Sequence, residues 1–289
     1  MKAKFWLPIA TVTGLFLLAT VPAQSSSHDF YKGKTIRFVV GLAPGGGYDL
    51  SARTVGRHMG KHIPGNPTIV VENMTGAGSL IAALYTYNSA KRDGLFVGIW
   101  NSGFVLRQAL GDKAVRLDSR KLGWIGAPTK AVPSCSIMAH TGLKSLKDVL
   151  AANREIKMGS TGPGSTYDDL PEILNRTIGT KFKVISGYEG TSTILVAMRR
   201  KELDGGCWGW ESVRTTARPM LDAQGDDKLI PFLIHRRELD PEVKDLPLIA
   251  EIIKGEDNLS AYQTWVGTSE FQRPFSVPPG TPKERLDLL

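Results

Sequence analysis

Short apolar runs rich in β-branched residues recur along the chain, each followed by a small-residue loop and then by a segment with helical spacing. Residues 36–40 read as a strand, GLAPGGGYDLSAR (41–53) as the loop, and 50–62 as the helix, which stops at the Pro and Gly residues of 63–67. The cycle repeats with strand 68–71, loop ENMTGAGSLIAA (72–83) and helix 80–90. Strand 95–100 then ends in Asn101, Ser102 and Gly103. Strands alternating with helices at this pitch predict a mostly parallel sheet.

The chain changes character near residues 129–133, and a second unit repeats the plan. Strand 135–139 leads to a helix over 143–153 introduced by Ser145 and Asp148. Strand 156–158 ends in GSTGPGSTYDDL (159–170), whose helix runs over 169–178. Strand 182–186 ends in Gly187, Tyr188, Glu189, Gly190, Thr191 and Ser192 ahead of a helix over 193–201, and 206–210 reads as a further strand. Residues 229–234 are expected to be a strand returning to the first unit. The division is therefore a leader over 1–23, a first lobe of 24–130 plus 227–289, and a second lobe of 131–226.

A strand that runs through glycines into a helix leaves the first helical N–H groups unpaired and uncovered by side chains, which is how a chain binds an anion. Gly45, Gly46 and Gly47 are the first such cradle, with Asp49 expected as the N-cap beside it. A glycine triplet also makes a plain tight turn. It is the recurrence of the device, at 76–79, 101–103, 159–166 and 187–192, that points to a ligand held above the carboxyl ends of the strands of an open α/β sheet. Two such halves joined by more than one crossing make a clamp that closes on a small molecule.

Composition narrows the class. The chain has 289 residues, 42% of them hydrophobic and 22% charged, enough for two globular units. The net charge is +8, but the Lys and Arg residues are scattered, without basic runs or interleaved aromatics, so nucleic acid is not an expected partner. Lys2 and Lys4, the apolar stretch 5–21 and the small residues Val21, Pro22 and Ala23 read as a cleaved export signal, which predicts an extracytoplasmic mature chain. Cys135 and Cys207 allow one disulfide in an oxidising compartment if their strands are neighbours.

The run FYKGKTIRFVVGLAPGGGYDLSAR (30–53), with VENMTGAGS, GSTGPGS, GYEG, KELDGG, PLIAEI and the late PFSVPPGTP, resembles the extracytoplasmic solute receptors of the tripartite tricarboxylate transporter family, the Bug or TctC-like binding proteins. The resemblance covers nearly the whole mature chain. It implies an α/β, two-lobed periplasmic binding protein of the type II, Venus flytrap kind, with a mostly parallel sheet in each lobe. Such a protein is a monomer without cofactor that grips a small organic carboxylate and passes it to a membrane permease. Carried over by position, the first-lobe cradle is Ala43, Gly45, Gly46, Gly47 and Tyr48 with Gly76, Ala77, Gly78 and Ser79. The second-lobe readers are Thr161, Gly162, Ser165, Thr166, Tyr188 and Thr191. The chain departs from the family pattern at Tyr48, where a small hydroxyl residue is usual, at Ser79, where a glycine is common, and at Asp168, where histidine is frequent. It also stops at Leu289, where family members continue through a long helix.

To these the residue pattern adds Asn101, in the third small-residue loop, and Trp208, which with Trp210 either fills the second core or forms an aromatic wall over the ligand. His58 and His62 have a metal-like spacing but no third ligand nearby, so they are expected on an exposed helix face. Gly33, Lys34 and Thr35 imitate the end of a P-loop but precede the strand. No GxSxG elbow occurs, and neither Asp204 nor Glu211 needs a catalytic role. The rival functions are an exported α/β enzyme acting on an anionic substrate, and a sensory module that docks on a signalling partner.

Overall fold

The computed structural model describes residues 30–236 and 240–289; the expected export signal lies outside them. Among the described residues no helix is long and apolar enough to cross a membrane. Ten strands of the described residues make two five-stranded sheets. The first contains β1 (Thr35–Val40), β2 (Thr68–Asn73), β3 (Phe96–Ile99), β4 (Gly123–Gly126) and β10 (Phe275–Val277), in the order β2-β1-β3-β10-β4. The second contains β5 (Pro133–Met138), β6 (Ile156–Gly159), β7 (Phe182–Ile185), β8 (Gly205–Gly209) and β9 (Leu229–Ile234), in the order β7-β6-β8-β5-β9. In each sheet the strand in fourth place runs antiparallel to both neighbours: β10 in one, β5 in the other. The expectation of mostly parallel sheets holds, with one reversed strand apiece.

Helices cover both faces of each sheet because both faces are apolar. In the first lobe α1 (Gly47–Met59) packs Tyr48 and Ala52 on Ile36, Phe38, Val40 and Ile99, while α2 (Leu80–Asn88) and α3 (Gly103–Ala109) cover the other side through Ala83, Trp100 and Phe104. In the second lobe α4 (Thr166–Ile178) buries Leu170 and Leu174 against Ile156 and Met158. The opposite face takes α5 (Thr191–Arg199) and α6 (Trp210–Thr216), and α7 (Glu256–Gly267) closes the α4 side with Tyr262 and Val266.

One strand is placed otherwise than expected. Residues 229–234 do not return to the first lobe: β9 is the outer strand of the second sheet, paired antiparallel with β5. The chain stays in the second lobe through α7 and crosses back only at 268–274. An apolar run such as LIPFLI reports burial, not which of two similar sheets receives it.

The two crossings lie side by side. Thr129 pairs with Gln272, and the Ala131 N–H donates to the Ser269 carbonyl at 2.8 Å. Two adjacent strands of backbone between otherwise separate cores make a hinge. Cys135 and Cys207, directly opposite each other on β5 and β8 with Cα atoms 4.1 Å apart, are joined in a disulfide at the centre of the second sheet.

Candidate functional site

The lobes meet along the small-residue loops. The Ala43 N–H donates to the Glu189 carbonyl at 2.8 Å, and Thr75 Oγ1 to Glu189 Oε1 at 2.9 Å. Asn101 Nδ2 donates to the Gly164 carbonyl at 2.7 Å, and Ser192 Oγ to the Pro44 carbonyl at 3.0 Å. Close approach explains several of the glycines. A Cβ on Gly103 would sit 1.9 Å from the Gly164 carbonyl, and one on Gly78 3.3 Å from the Thr161 carbonyl.

Between the lobes lies a cavity of about 20 Å³ lined by residues of both lobes and of the hinge. Tyr48 of α1, Thr166 and Tyr167 of α4, and Glu211 and Ser212 of α6 all contribute, so the first turns of three helices open onto one space. Each of those turns carries a positive dipole end and N–H groups without intrahelical acceptors, although in α6 the Trp210 N–H is spent on the Val132 carbonyl at 2.8 Å. A volume of this size admits about one water molecule, so anything larger enters only with the lobes apart.

Of the residues expected from sequence, Tyr48, Asn101, Thr161, Ser165 and Thr166 line this cavity. Ala43, Gly46, Gly78, Gly162 and Thr191 lie at the lobe contact around it: a Cβ on Gly46 would be 3.7 Å from the Thr191 nitrogen, and one on Gly162 3.7 Å from the Gly78 nitrogen. Gly45 and Asp49 are turned to each other. The N-cap of α1 is Gly46, and Asp49, expected in that role, stands in the first turn and accepts from the Gly45 N–H at 2.9 Å, from Arg53 Nε at 2.9 Å and from Asn73 Nδ2 at 3.0 Å. Burial alone would raise its pKa, but these donors outweigh it and hold the carboxyl below the usual aspartate range. The Gly45 amide is therefore committed to the protein.

Gly47 makes room rather than contact, since a Cβ there would lie 2.3 Å from Ser212 Oγ and 2.6 Å from Arg273 Nη2. In the second loop Ala77 (φ 47°) and Ser79 (φ 79°) take left-handed conformations around Gly76 and Gly78, and Ser79 Oγ accepts from the Asn101 N–H at 2.9 Å, tying two loops together. Gly162 spends its N–H on Ser160 Oγ at 2.9 Å. Tyr188 packs at the edge of the second core, and Asp168 accepts from Ser160 and Ser186 away from the cavity wall. Trp208 is wholly buried, edge to face with Tyr167 at 6.2 Å between centroids, so it fills the core and forms no wall over the cleft.

The charged groups of the cavity escape a reading of motifs. Arg273, on the second crossing, is 5% exposed and has a left-handed backbone (φ 58°). Its Nη2 donates to Glu211 Oε1 and to Ser212 Oγ, both at 2.8 Å, and its Nη1 to Ser51 Oγ at 3.2 Å, so one guanidinium touches α1 in one lobe and α6 in the other. The guanidinium carbon lies 5.6 Å from the centroid of the Tyr48 ring, whose hydroxyl donates to Gln272 Oε1 at 2.8 Å. Burial pushes the Tyr48 and Tyr167 hydroxyls up, so both are neutral donors at any physiological pH. Gly209 lets Glu211 fold back over its own turn, because a Cβ there would meet the carboxylate at 2.1 Å. Arg273 stands just ahead of the PFSVPPGTP run, yet no local spacing ties it to Glu211.

The molecule is a two-lobed α/β clamp with a double-stranded hinge, the architecture of the periplasmic binding proteins. The chain is 25% identical to a UPF0065 protein of Bordetella pertussis over 280 residues, which span 95% of this chain and 80% of that protein. Its fold matches the periplasmic binding protein BugD (TM-score 0.71, 21% identity, 89% of this chain and 81% of that one). It also matches MatC of Rhodopseudomonas palustris with bound malate (TM-score 0.68, 23% identity, 88% and 81%). No family model matches the chain. The resemblance read from the loops is thus borne out, with a described periplasmic binding protein among the chains of the same fold.

Proposed function

We propose that this protein is the extracytoplasmic receptor of a tripartite tricarboxylate-type uptake system. Exported to the periplasm, it takes a small organic carboxylate between its lobes and hands it to a membrane permease without chemical change. The observation that carries this reading is the convergence of three helix starts and a buried guanidinium on one cavity bounded by a hinge. Backbone N–H groups and Arg273 are donors only, which suits a carboxylate. The malate held by MatC, a protein of the same fold, supports the ligand class.

Native mass spectrometry of the protein purified from the periplasm is expected to show one acid of low mass bound per chain. Adding that acid back to stripped protein should raise Tm without forming product. Turnover of the acid would replace the receptor with an enzyme.

A further inference from the structure

Among the described residues, two that line the cavity carry a buried polar atom without a protein partner, Thr161 at Oγ1 and Arg273 at Nε. The residues that carry them are 3% and 5% exposed and belong to different structural units, Thr161 to the second lobe and Arg273 to the hinge. An unmade bond on a buried polar atom is costly, and an acceptor held between the lobes would relieve that cost. Beside them stands the one carboxylate that lines the cavity among the described residues, Glu211. It engages Arg273 through Oε1 alone; Oε2 accepts only a long contact, at 3.3 Å, from the Val132 N–H, and the side chain keeps 26% of its surface open.

The charge balance of a closed cleft follows. Arg273 and Glu211 neutralise each other, and the starts of the two long helices α1 and α4 add partial positive charge of the order of one carboxylate's. A second ligand carboxylate would lie beside Glu211 and share a guanidinium already engaged, in a space too small to keep its water. A ligand ammonium instead finds in Glu211 an acceptor with unused lone pairs.

Resting on the receptor reading above, we propose that Arg273 and Glu211 are the specificity pair of the cleft, and that together they select a zwitterionic acid, one carboxylate and one protonated amine, over a dicarboxylate of the same length. Arg273 Nε and Thr161 Oγ1 receive the carboxylate and Glu211 the ammonium. Tyr48, Tyr167, Asn101 and Gln272, also in the wall, are neutral polar groups that do not discriminate between the two kinds of ligand.

The test is calorimetric titration of the stripped protein with 3-aminopropanoate, 4-aminobutanoate, succinate and glutarate, in which only the terminal group changes at matched length. The amino acids should bind about tenfold or more tightly than their dicarboxylate counterparts. Glu211→Gln keeps shape and one acceptor but removes the charge; it should weaken the amino acids and strengthen the dicarboxylates, each by about tenfold. Arg273→Met should weaken all four, and unliganded melts of both variants will confirm that they fold. Dicarboxylates binding more tightly to the wild type, with a ratio that Glu211→Gln leaves unchanged, would overturn this assignment and leave the receptor intact. No binding of any acid, together with no acid in the purified protein, would overturn both.

Discussion

The two lobes share one sheet plan, three parallel strands, a reversed strand in fourth place and a fifth strand outside it, but they reach it by different routes along the chain. The second lobe is continuous, and its reversed strand β5 comes first. The first lobe receives its reversed strand β10 only after the chain has passed through the whole second lobe and back. The junctions differ accordingly. β5 and β8 are joined covalently through Cys135 and Cys207, whereas β10 is held by two residue pairs with β3, by Trp100 Nε1 donating to Ser276 Oγ at 3.0 Å, and by Phe275 packed on Phe38 of β1. The lobes also contribute unequally to the cavity. The first brings Leu42, Tyr48 and Asn101, and the second, with the hinge, brings most of the polar side chains.

Breaking the covalent half of this comparison gives the largest effect. The disulfide closes a separation of 72 residues, for which loop entropy gives about 4 kcal/mol. Replacing Cys135 and Cys207 by Ser should lower the second lobe's unfolding free energy by that order and leave the first lobe's own transition in place; a single unshifted transition would show that the bridge does not set the second lobe's stability.

The first lobe has its own fixed point in Asp49. Asp49→Asn should cost about 2 kcal/mol, the worth of hydrogen bonds to a buried charge. The folded carboxyl is depressed, so its contribution is complete above about pH 4, the range of an unperturbed aspartate, and is lost as pH falls through the depressed folded value. A pH series of urea melts should therefore show that acid limb in the wild type and not in Asp49→Asn.

Closure can be separated from folding at Gly103. Its Cβ would strike the Gly164 carbonyl across the lobe interface, so Gly103→Val should weaken ligand binding by about tenfold, with stability within about 1 kcal/mol of the wild type. Gly46→Ala serves as the contrast. Gly46 has φ −82°, open to any residue, and its Cβ would meet Ala43 and Thr191 at ordinary distances, so steric block by a single methyl is not expected. Affinities that fall equally in both variants would place the block in the loops rather than in closure. The smallest effect is expected at Tyr48→Phe, which removes the bond to Gln272 and should cost about 1 kcal/mol in a denaturation experiment.

The fold is legible where local chemistry decides it. The strand, loop and helix cycles appear where the pattern places them, and Ser145 caps its helix by accepting from the Asp148 N–H. The loops are legible for the same reason, since glycine and hydroxyl clusters at strand ends are local signals. Strand β9 joins the other sheet from the one the pattern suggests, because both lobes offer an edge to an apolar run. Arg273 and Glu211 are not legible at all: they lie 62 residues apart and meet only because the hinge brings the second crossing against the start of α6. Asp49 belongs to the loop that the pattern marks but does not take the capping role it suggests, because the cap of α1 depends on where the glycine turn ends.

The central claim is that helix starts from opposed lobes close together on one acid, and amide hydrogen exchange with and without the bound acid tests it most directly. The account predicts simultaneous protection of residues 46–49 in the first lobe and 161–167 and 210–212 in the second, with little change in the cores. Protection confined to one lobe, or located away from these segments, would contradict it.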